Sequence, residues 1–285
     1  MLDDGSTDRT MEIISEFVDR DSRIQLVELK NKPTRSAAES FGLLFHEALR
    51  QGAEYIFSCD QDDIWMPKKL TTMLPEIKHA EINGDVPVLV HHDLTVVNQD
   101  LGLLSDSYWR MMRIEPGTAD VPARLMSRNE VTGCAMGCNR ALLELALPIP
   151  KAAIMHDWWL ALCAAYFGKI RLIDKRLVRY RQHTKNVIGA RPFWSGIRPG
   201  NVHSSWVRGN DELRETSDQA RLFFRRFRDR LTEQDLERVN AYAALLDCGR
   251  IERLRRLIRS GAWRKHWFLN ATLVARVLLM GTQRR

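Results

Sequence analysis

Three carboxylates stand within four residues, at Asp60, Asp62 and Asp63. They repel one another, and folding them into one tight turn is costly unless a cation sits among them. A hard divalent cation takes oxygen ligands, commonly one or two carboxylates together with substrate phosphates. Held this way, it can bridge a diphosphate and stabilise the charge of a departing group. The alternative is an acidic surface turn, although the apolar Ile64-Trp65 that follows would anchor it. A second acidic block, Asp3-Asp4-Gly5-Ser6-Thr7-Asp8, lies near residue 1. Gly5 permits a tight turn there, and Ser6 or Asp8 is placed to cap the next helix. A carboxylate at a strand end can also accept hydrogen bonds from a base or a ribose.

Two further clusters carry chemistry. In His156-Asp157-Trp158-Trp159, Asp157 is either a helix cap or a general base that deprotonates an acceptor hydroxyl. Trp158 or Trp159 could wall an apolar pocket or stack on a sugar. Adjacent residues on a helix do not share a face, so one of the two belongs to the core. In Tyr180-Arg181-Gln182-His183, followed by Asn186, Arg181 or His183 would contact phosphates or a metal; an exposed polar strand end is the alternative. His91-His92-Asp93 does not have the spacing of a familiar two-histidine site and reads as supporting or acceptor-side.

The elements that must position these residues alternate. Helical spacing covers Thr10–Arg20, Ser36–Arg50, Lys68–Ala80, Arg140–Leu147 and His156–Phe167. Strands are predicted at Ile24–Leu29, Tyr55–Cys59, Val88–His92, Val131–Cys138, Ile170–Ile173 and Val178–Arg181. Residues 93–130 read as loops around a short hairpin, with a mobile segment near Glu115–Pro122. This alternation predicts an α/β fold with a mostly parallel sheet covered by helices. Ligands in such sheets sit beyond the carboxyl ends of strands, where the acidic cluster at 60–63 stands. After Gly189 the composition changes: 191–210 is rich in Pro, Gly, Ser and Trp and reads as a connecting loop, and 211–285 as Arg-rich helices.

Of the 285 residues, 45% are hydrophobic and 28% charged, as in a globular protein with a sizeable core. Five cysteines, an odd number without C-x-x-C spacing, support neither a zinc site nor a disulfide scaffold and point to a reducing cytoplasm. No signal peptide is expected, and the near-apolar stretch Trp267–Met280 is shorter than the ~20 residues a bilayer span needs. The net charge of +7 asks for an anionic partner. No zinc finger, RNP-like motif or basic coiled coil supports nucleic acid.

Taken together, DDGSTDRT at 3–10, FSCDQDDIWMPKKL at 57–70, VTGCAMGCNRALL at 131–143, HDWWLALCAAYFG at 156–168 and YRQHTKNVIGA at 180–190 resemble family-2 glycosyltransferases of the GT-A fold, in particular bacterial rhamnosyltransferase-like members that build surface polysaccharide. The resemblance implies a Rossmann-like catalytic domain over residues 1–190, with a linker and basic helical C-terminal extension over 191–285. It implies a nucleotide-diphospho-sugar donor, a saccharide or lipid-linked acceptor, and direct displacement at the anomeric carbon with inversion. Asp3 and Asp4 would lie by the nucleotide. Asp60 and Asp62, with His183 nearby, would hold Mg2+ or Mn2+ on the diphosphate, Asp60 and Arg181 also contacting the donor. Asp157 would be the catalytic base, with Gly133 and Trp158 on the acceptor side.

Two departures accompany the resemblance. Many members carry Q-x-x-R-W after the base, where this chain has Tyr180–His183. Members also open with a nucleotide-binding strand, loop and helix ahead of the strand leading into the first acidic block. The expectation is therefore an N-terminally truncated domain, from a start placed too late or from a degraded paralogue that only binds sugar nucleotide. In the tail, Arg253, Arg255, Arg256 and Arg259 precede Trp263, Trp267 and Phe268. Arg and Trp on helices read as an element contacting an anionic membrane at the inner face, or as a solvated face packed on the catalytic domain.

Overall fold

The computed structural model describes residues 1–27, 36–81, 86–117, 121–183 and 202–280. In chain order the elements are α1 (Thr10–Arg20), α2 (Ala37–Arg50), β1 (Tyr55–Phe57), β2 (Ile64–Trp65), α3 (Lys69–Ala80), β3 (Val88–Val97), β4 (Leu103–Ser105), α4 (Tyr108–Met112), α5 (Val121–Ser127), a 3-10 turn (Gly133–Ala135), β5 (Met136–Asn139), α6 (Arg140–Ala146), α7 (His156–Phe167), β6 (Lys169–Arg181), α8 (Val202–Phe227), α9 (Glu233–Ala243), α10 (Arg250–Ser260) and α11 (Trp267–Leu279). Residues 28–29 of the strand expected at 24–29, 118–120 of the segment near Glu115–Pro122, and 184–201 with Asn186 lie outside the described residues. Of the 24–29 strand, the described part contributes one parallel bridge, Val27 to Leu2.

Helix ends follow local chemistry. Ser36 and Glu39 form a capping box on α2. Asn139 and Thr232 accept from the first-turn amides of α6 and α9. At α1, Arg9 occupies the cap position, while Asp8 accepts from the Thr10 amide. Ser6 does not cap; its hydroxyl donates to Asp3. The α1 helix buries no residue, so its apolar Met11, Ile13 and Phe17 stay exposed.

The sheet is mixed, correcting the expectation of a mostly parallel one. Its order is β1-β5-β3-β6-β2, with β4 paired to β3. Among the described strands of this sheet, only β3 and β6 pair in parallel; β1–β5, β3–β5, β3–β4 and β2–β6 are antiparallel. Because β5 runs against both its neighbours, β1, β3 and β6 still point one way. Helical crossovers fix that shared direction, but local periodicity says nothing about which strand lies between two others.

Three further expectations are corrected. The strand read over 131–138 is a 3-10 turn followed by β5, since Gly133 interrupts it. The two strands read at 170–173 and 178–181 are one strand, whose register against β3 jumps from His92–Ile173 to Asp93–Arg176, so that Asp174-Lys175 bulge. The loop read over 191–210 gives way at Val202 to α8. Gly209 is no breaker there: a Cβ would fall 2.1 Å from the Arg276 guanidinium carbon, so the missing side chain makes room for α11.

The core centres on α7, buried from His156 through Ala164. A helix apolar all round must be covered all round. Strand β6, helices α5 and α6, and then α8 cover it. The Trp159 ring packs 5.7 Å from Phe223 and 6.1 Å from Phe227 of α8. Arg226 donates to the carbonyls of Leu145, Leu147 and Pro148, closing the seam. Burying side chains of this size stabilises by roughly 1.5–3 kcal/mol each. No described helix is long and apolar enough to cross a membrane.

Gly168, between α7 and β6, has no room for a side chain: a Cβ would fall 1.9 Å from the Pro87 carbonyl oxygen. Gly168→Ala should cost about 1–3 kcal/mol, seen as a lower urea midpoint with an unchanged m-value.

Candidate active site

Strand β1 delivers the acidic loop. It pairs with β5 in the register Phe57–Gly137, and a Cβ on Gly137 would fall 2.4 Å from the Phe57 ring, so glycine permits the approach. Beyond β1, buried Ser58 donates to the Gly133 carbonyl at 2.5 Å. The chain then passes through Asp60, Asp62 and Asp63 and is caught again by β2, which pairs with β6.

Within that loop the carboxylates divide. Asp60 and Asp63 converge with the Cys134 thiol, their ligand atoms within 4.8 Å of one another. Asp62 instead lies 2.7 Å from His183 Nε2. The ligand set expected from sequence, Asp60, Asp62 and His183, is thus split: Asp62 and His183 form one pair, and Asp60 joins Asp63. Arg181 braces the loop. Its amide donates to Asp63 Oδ1 at 2.9 Å, and its guanidinium to the carbonyls of Asp62 at 2.8 Å and Gln99 at 2.6 Å.

Burial pushes the Asp60 carboxyl up to about 6, with the Asp63 and Asp62 charges adding to the rise. Asp63 is raised mainly by burial, and its Oδ2 is buried without a hydrogen-bond partner. A partly dehydrated carboxylate pair with an orphaned oxygen suits a hard divalent cation. Asp60 and Asp63 supply suitable oxygens. Cys134 is the wrong donor for such an ion, since burial pushes its thiol well up and keeps it protonated.

Lys69 was not among the residues singled out by sequence. It sits at the start of α3 with 1% exposure, donates to the Cys134 carbonyl at 2.6 Å, and lies 3.8 Å over the Trp65 ring. Burial lowers it to about 8. Its signal was legible: Lys69 occupies the same buried stripe of α3 as Met73, Ile77 and Ala80.

Asp157 stands in the first turn of α7, where the helix dipole favours a negative charge. Its Oδ1 accepts from the Trp158 amide at 2.6 Å and from Asn129 Nδ2 at 3.1 Å. Burial outweighs these bonds and raises the carboxyl to about 7, with the Asp60 charge contributing. Gly133 lies against it: a Cβ there would fall 2.8 Å from His156 Nε2 and 3.4 Å from Asp157 Oδ2. His156 stacks on Phe41 at 3.9 Å, and burial lowers it to about 3. Asn129, unmarked by any motif, was missed.

The structure brings Asp60, Asp63, Gly133 and Asp157 to one place. Trp158 is buried, with its indole N–H bonded to the Leu125 carbonyl, and Trp159 is buried too, so both indoles belong to the core. Asp3 accepts from the Gly5 amide at 2.9 Å and from Ser6, shaping a turn in which Gly5 takes φ 98°; Asp4 beside it is exposed. His91 and His92 are buried and pushed down to about 3 and 4 by desolvation. Asp93 accepts from the Leu94 and Trp109 amides and from Ser107, fixing the start of α4.

The glycosyl transferase family 2 profile matches residues 1–144, half of the chain. The chain belongs to glycosyl transferase family 2. It is 25% identical over 194 residues to an uncharacterized glycosyltransferase of Nostoc sp., covering 65% of this chain and 56% of that one. It is 30% identical over 81 residues to glycosyltransferase GlyG of Streptococcus pneumoniae, covering 28% of this chain and 25% of the relative. The chain thus spans about half the length of the first and a quarter of the second. The matched region of this family-2 chain contains the acidic loop and the Gly133 turn; Asp157 lies beyond it.

Family-2 enzymes commonly use a divalent cation, and Asp60 and Asp63 fit one. Ligand carboxylates must be ionised, so affinity should fall as pH drops through about 6. Titration with Mn2+, read by its electron paramagnetic resonance signal, should show this fall. Asp60→Asn should weaken binding about tenfold or more, a loss of about 1.4 kcal/mol.

Proposed function

We propose that the chain is an inverting, metal-dependent hexosyltransferase that moves a sugar, rhamnose for preference, from a nucleotide diphosphate to a saccharide or lipid-linked acceptor in bacterial surface polysaccharide synthesis. The observation that carries this reading is a carboxyl raised to about 7, Asp157, sharing the Gly133 turn with the Asp60–Asp63 pair. A base with a pKa near neutrality is matched to taking a proton from a hydroxyl.

In this reading Asp157 takes the acceptor proton. The acceptor oxygen bonds to the anomeric carbon as the bond to the diphosphate oxygen breaks on the opposite face, which inverts the centre. Asp60 and Asp63 would hold Mg2+ or Mn2+, which would neutralise charge on the leaving diphosphate, while Asp62 and His183 pair with each other in the same loop region. Asp3 and Asp4 lie toward the nucleotide. Arg181 fixes the donor loop through the Asp62 carbonyl and the Asp63 carboxylate. Gly133 keeps the acceptor side open, and Trp158 secures the base's helix to α5. Residues 1–190 form the catalytic domain and 191–285 the linker and helical extension.

The basic helices suit peripheral attachment to an anionic membrane. On α10, Ile251, Arg255 and Ile258 share one exposed face, and Trp267 at the start of α11 is 80% exposed. Apolar side chains flanked by arginines bind such a surface by insertion and charge together.

Asp157→Asn should lower transfer by about 10²–10⁴-fold while sparing donor binding. The wild-type rate should rise about tenfold per pH unit below about 7 and level off above it, because only the ionised carboxylate accepts a proton. A donor screen with thermal-shift and turnover readouts tests both. A donor-induced shift without any turnover would leave a sugar-nucleotide binder in place of the enzyme. Separately, raised salt should strip the chain from anionic vesicles, checked by sedimentation; equal partitioning at low and high salt would refute membrane attachment.

A further inference from the structure

The acidic centre contains one donor that a hard cation does not use. Asp60, Asp63 and the Cys134 thiol offer ligand atoms all within 4.8 Å of one another. Among the described residues they are the one group of three that could hold an ion together. Zinc bonds of about 2.3 Å to sulfur and about 2.0–2.2 Å to carboxylate oxygen keep the ligands of one ion within about 4.5 Å of one another. The cluster is close to that spacing before any ion enters.

The sulfur is held in place. Cys134 lies in the middle of the 3-10 turn, where the Lys69 ammonium donates to its carbonyl at 2.6 Å and Ser58 donates to the preceding Gly133 carbonyl at 2.5 Å. Lys69 also sets a positive charge near the thiol, which favours a thiolate there. Cys138 and Cys163 are buried too, but no carboxylate acts on either of them, whereas Asp60 and Asp63 both act on Cys134. Cys134 is fully buried while Asp60 and Asp63 are partly exposed, so an ion can approach from the carboxylate side. Asp63 Oδ2 is buried without a hydrogen-bond partner. Such an orphaned oxygen is costly, and an ion would satisfy it.

Softness decides which ion uses all three donors. Mg2+ and Mn2+ prefer oxygen and leave the thiol protonated. A thiophilic ion takes the thiolate instead: the metal–sulfur bond forms, the thiol proton passes to solvent, and no electrons change hands.

We propose that Asp60, Asp63 and Cys134 form a capture site for thiophilic divalent cations such as Zn2+ and Cd2+, with sulfur as the third ligand, and that such an ion displaces Mg2+ or Mn2+ from the acidic loop. An ion held by two carboxylates and a thiolate carries one more negative charge than an ion held by the carboxylates alone. It is therefore a poorer partner for a diphosphate. That consequence rests on the transfer reading above; the ligand set does not.

The test is a titration of the full chain with Cd2+, free of added thiols, read by the ultraviolet sulfur-to-metal charge-transfer band. The band should saturate at one ion per chain. Cys134→Ser should abolish it, and Asp60→Asn should weaken Cd2+ about tenfold. The double variant Cys59→Ser/Cys248→Ser, which removes the two cysteines that are not fully buried, should keep it. X-ray absorption of the Zn2+-loaded wild-type chain, which needs no variant to fold, should show sulfur together with oxygen around the metal. A band that survives Cys134→Ser, ignores Asp60→Asn or vanishes with Cys59 and Cys248 overturns the site, as does a zinc shell without sulfur. In the second arm, Cd2+ should release bound Mn2+, followed by electron paramagnetic resonance, and Cys134→Ser should raise the Cd2+ needed about tenfold or more. Release unchanged by Cys134→Ser overturns the displacement. A Cys134-dependent band on a chain that binds no Mn2+ would instead overturn the hard-cation reading of the loop, and a band with no transfer from any donor would overturn the transfer reading alone.

Discussion

The peptide groups of the Gly133–Ala135 turn are buried between the acidic loop after β1 and the start of α7. Its carbonyls are met by Ser58 beyond β1 and by Lys69 of α3, and the Gly133 amide faces Asp157 at the start of α7. Each partner comes from a different part of the chain. Leaving one such buried group unmet costs about 1–3 kcal/mol, so the acidic loop, Lys69 and Asp157 are all tied to the same turn. The two glycines around the turn serve the same end. Gly133 admits His156 and Asp157, and Gly137 admits the Phe57 ring.

Dehydration then sets the electrostatics. Asp60 and Asp157 are raised to about 6 and about 7, Lys69 is lowered to about 8, and His156 is kept neutral. Burial, not a charged neighbour, is the main cause in every case. Such shifts gather where chemistry is done. The same burial that makes the carboxylates reluctant to ionise brings Asp157 close to neutrality. Lys69 compensates part of the acidic charge from behind, through its place over Trp65 and under the Cys134 carbonyl.

The C-terminal helices belong to the same core as the helix that carries Asp157. Phe223 and Phe227 close over Trp159, one position after Trp158 and two after Asp157. Arg226 satisfies three carbonyls on the far side of α6. The helix that carries Asp157 is therefore clamped by α8 from Trp159, two residues after Asp157, to Phe167 at its far end. Arginines split by position: Arg253 is buried and bonds the Met280 carbonyl, whereas Arg255 and Arg259 of the same helix face outward.

Much of this was legible in the sequence. The periodic helices at 10–20, 36–50 and 156–167, the acidic cluster beyond a short strand, and Asp157 at a helix start are local patterns. They depend on 3.6-residue spacing, capping residues and chain order, all of which a single sequence displays. Strand neighbours were not legible, because pairing joins residues far apart in sequence. So β5 between β1 and β3, and the single bulged strand from Lys169 to Arg181, came only from the structure. The partition of the acidic loop was decided the same way. Composition offers Asp60, Asp62 and Asp63 as equals, and only the approach of Cys134, Arg181 and His183 from three distant segments sorts two toward a common centre and one toward a histidine. The sequence by itself determined which chemical groups are present and which helices and strands present them; the tertiary structure decided which groups lose their water together, and hence their charge and their partners.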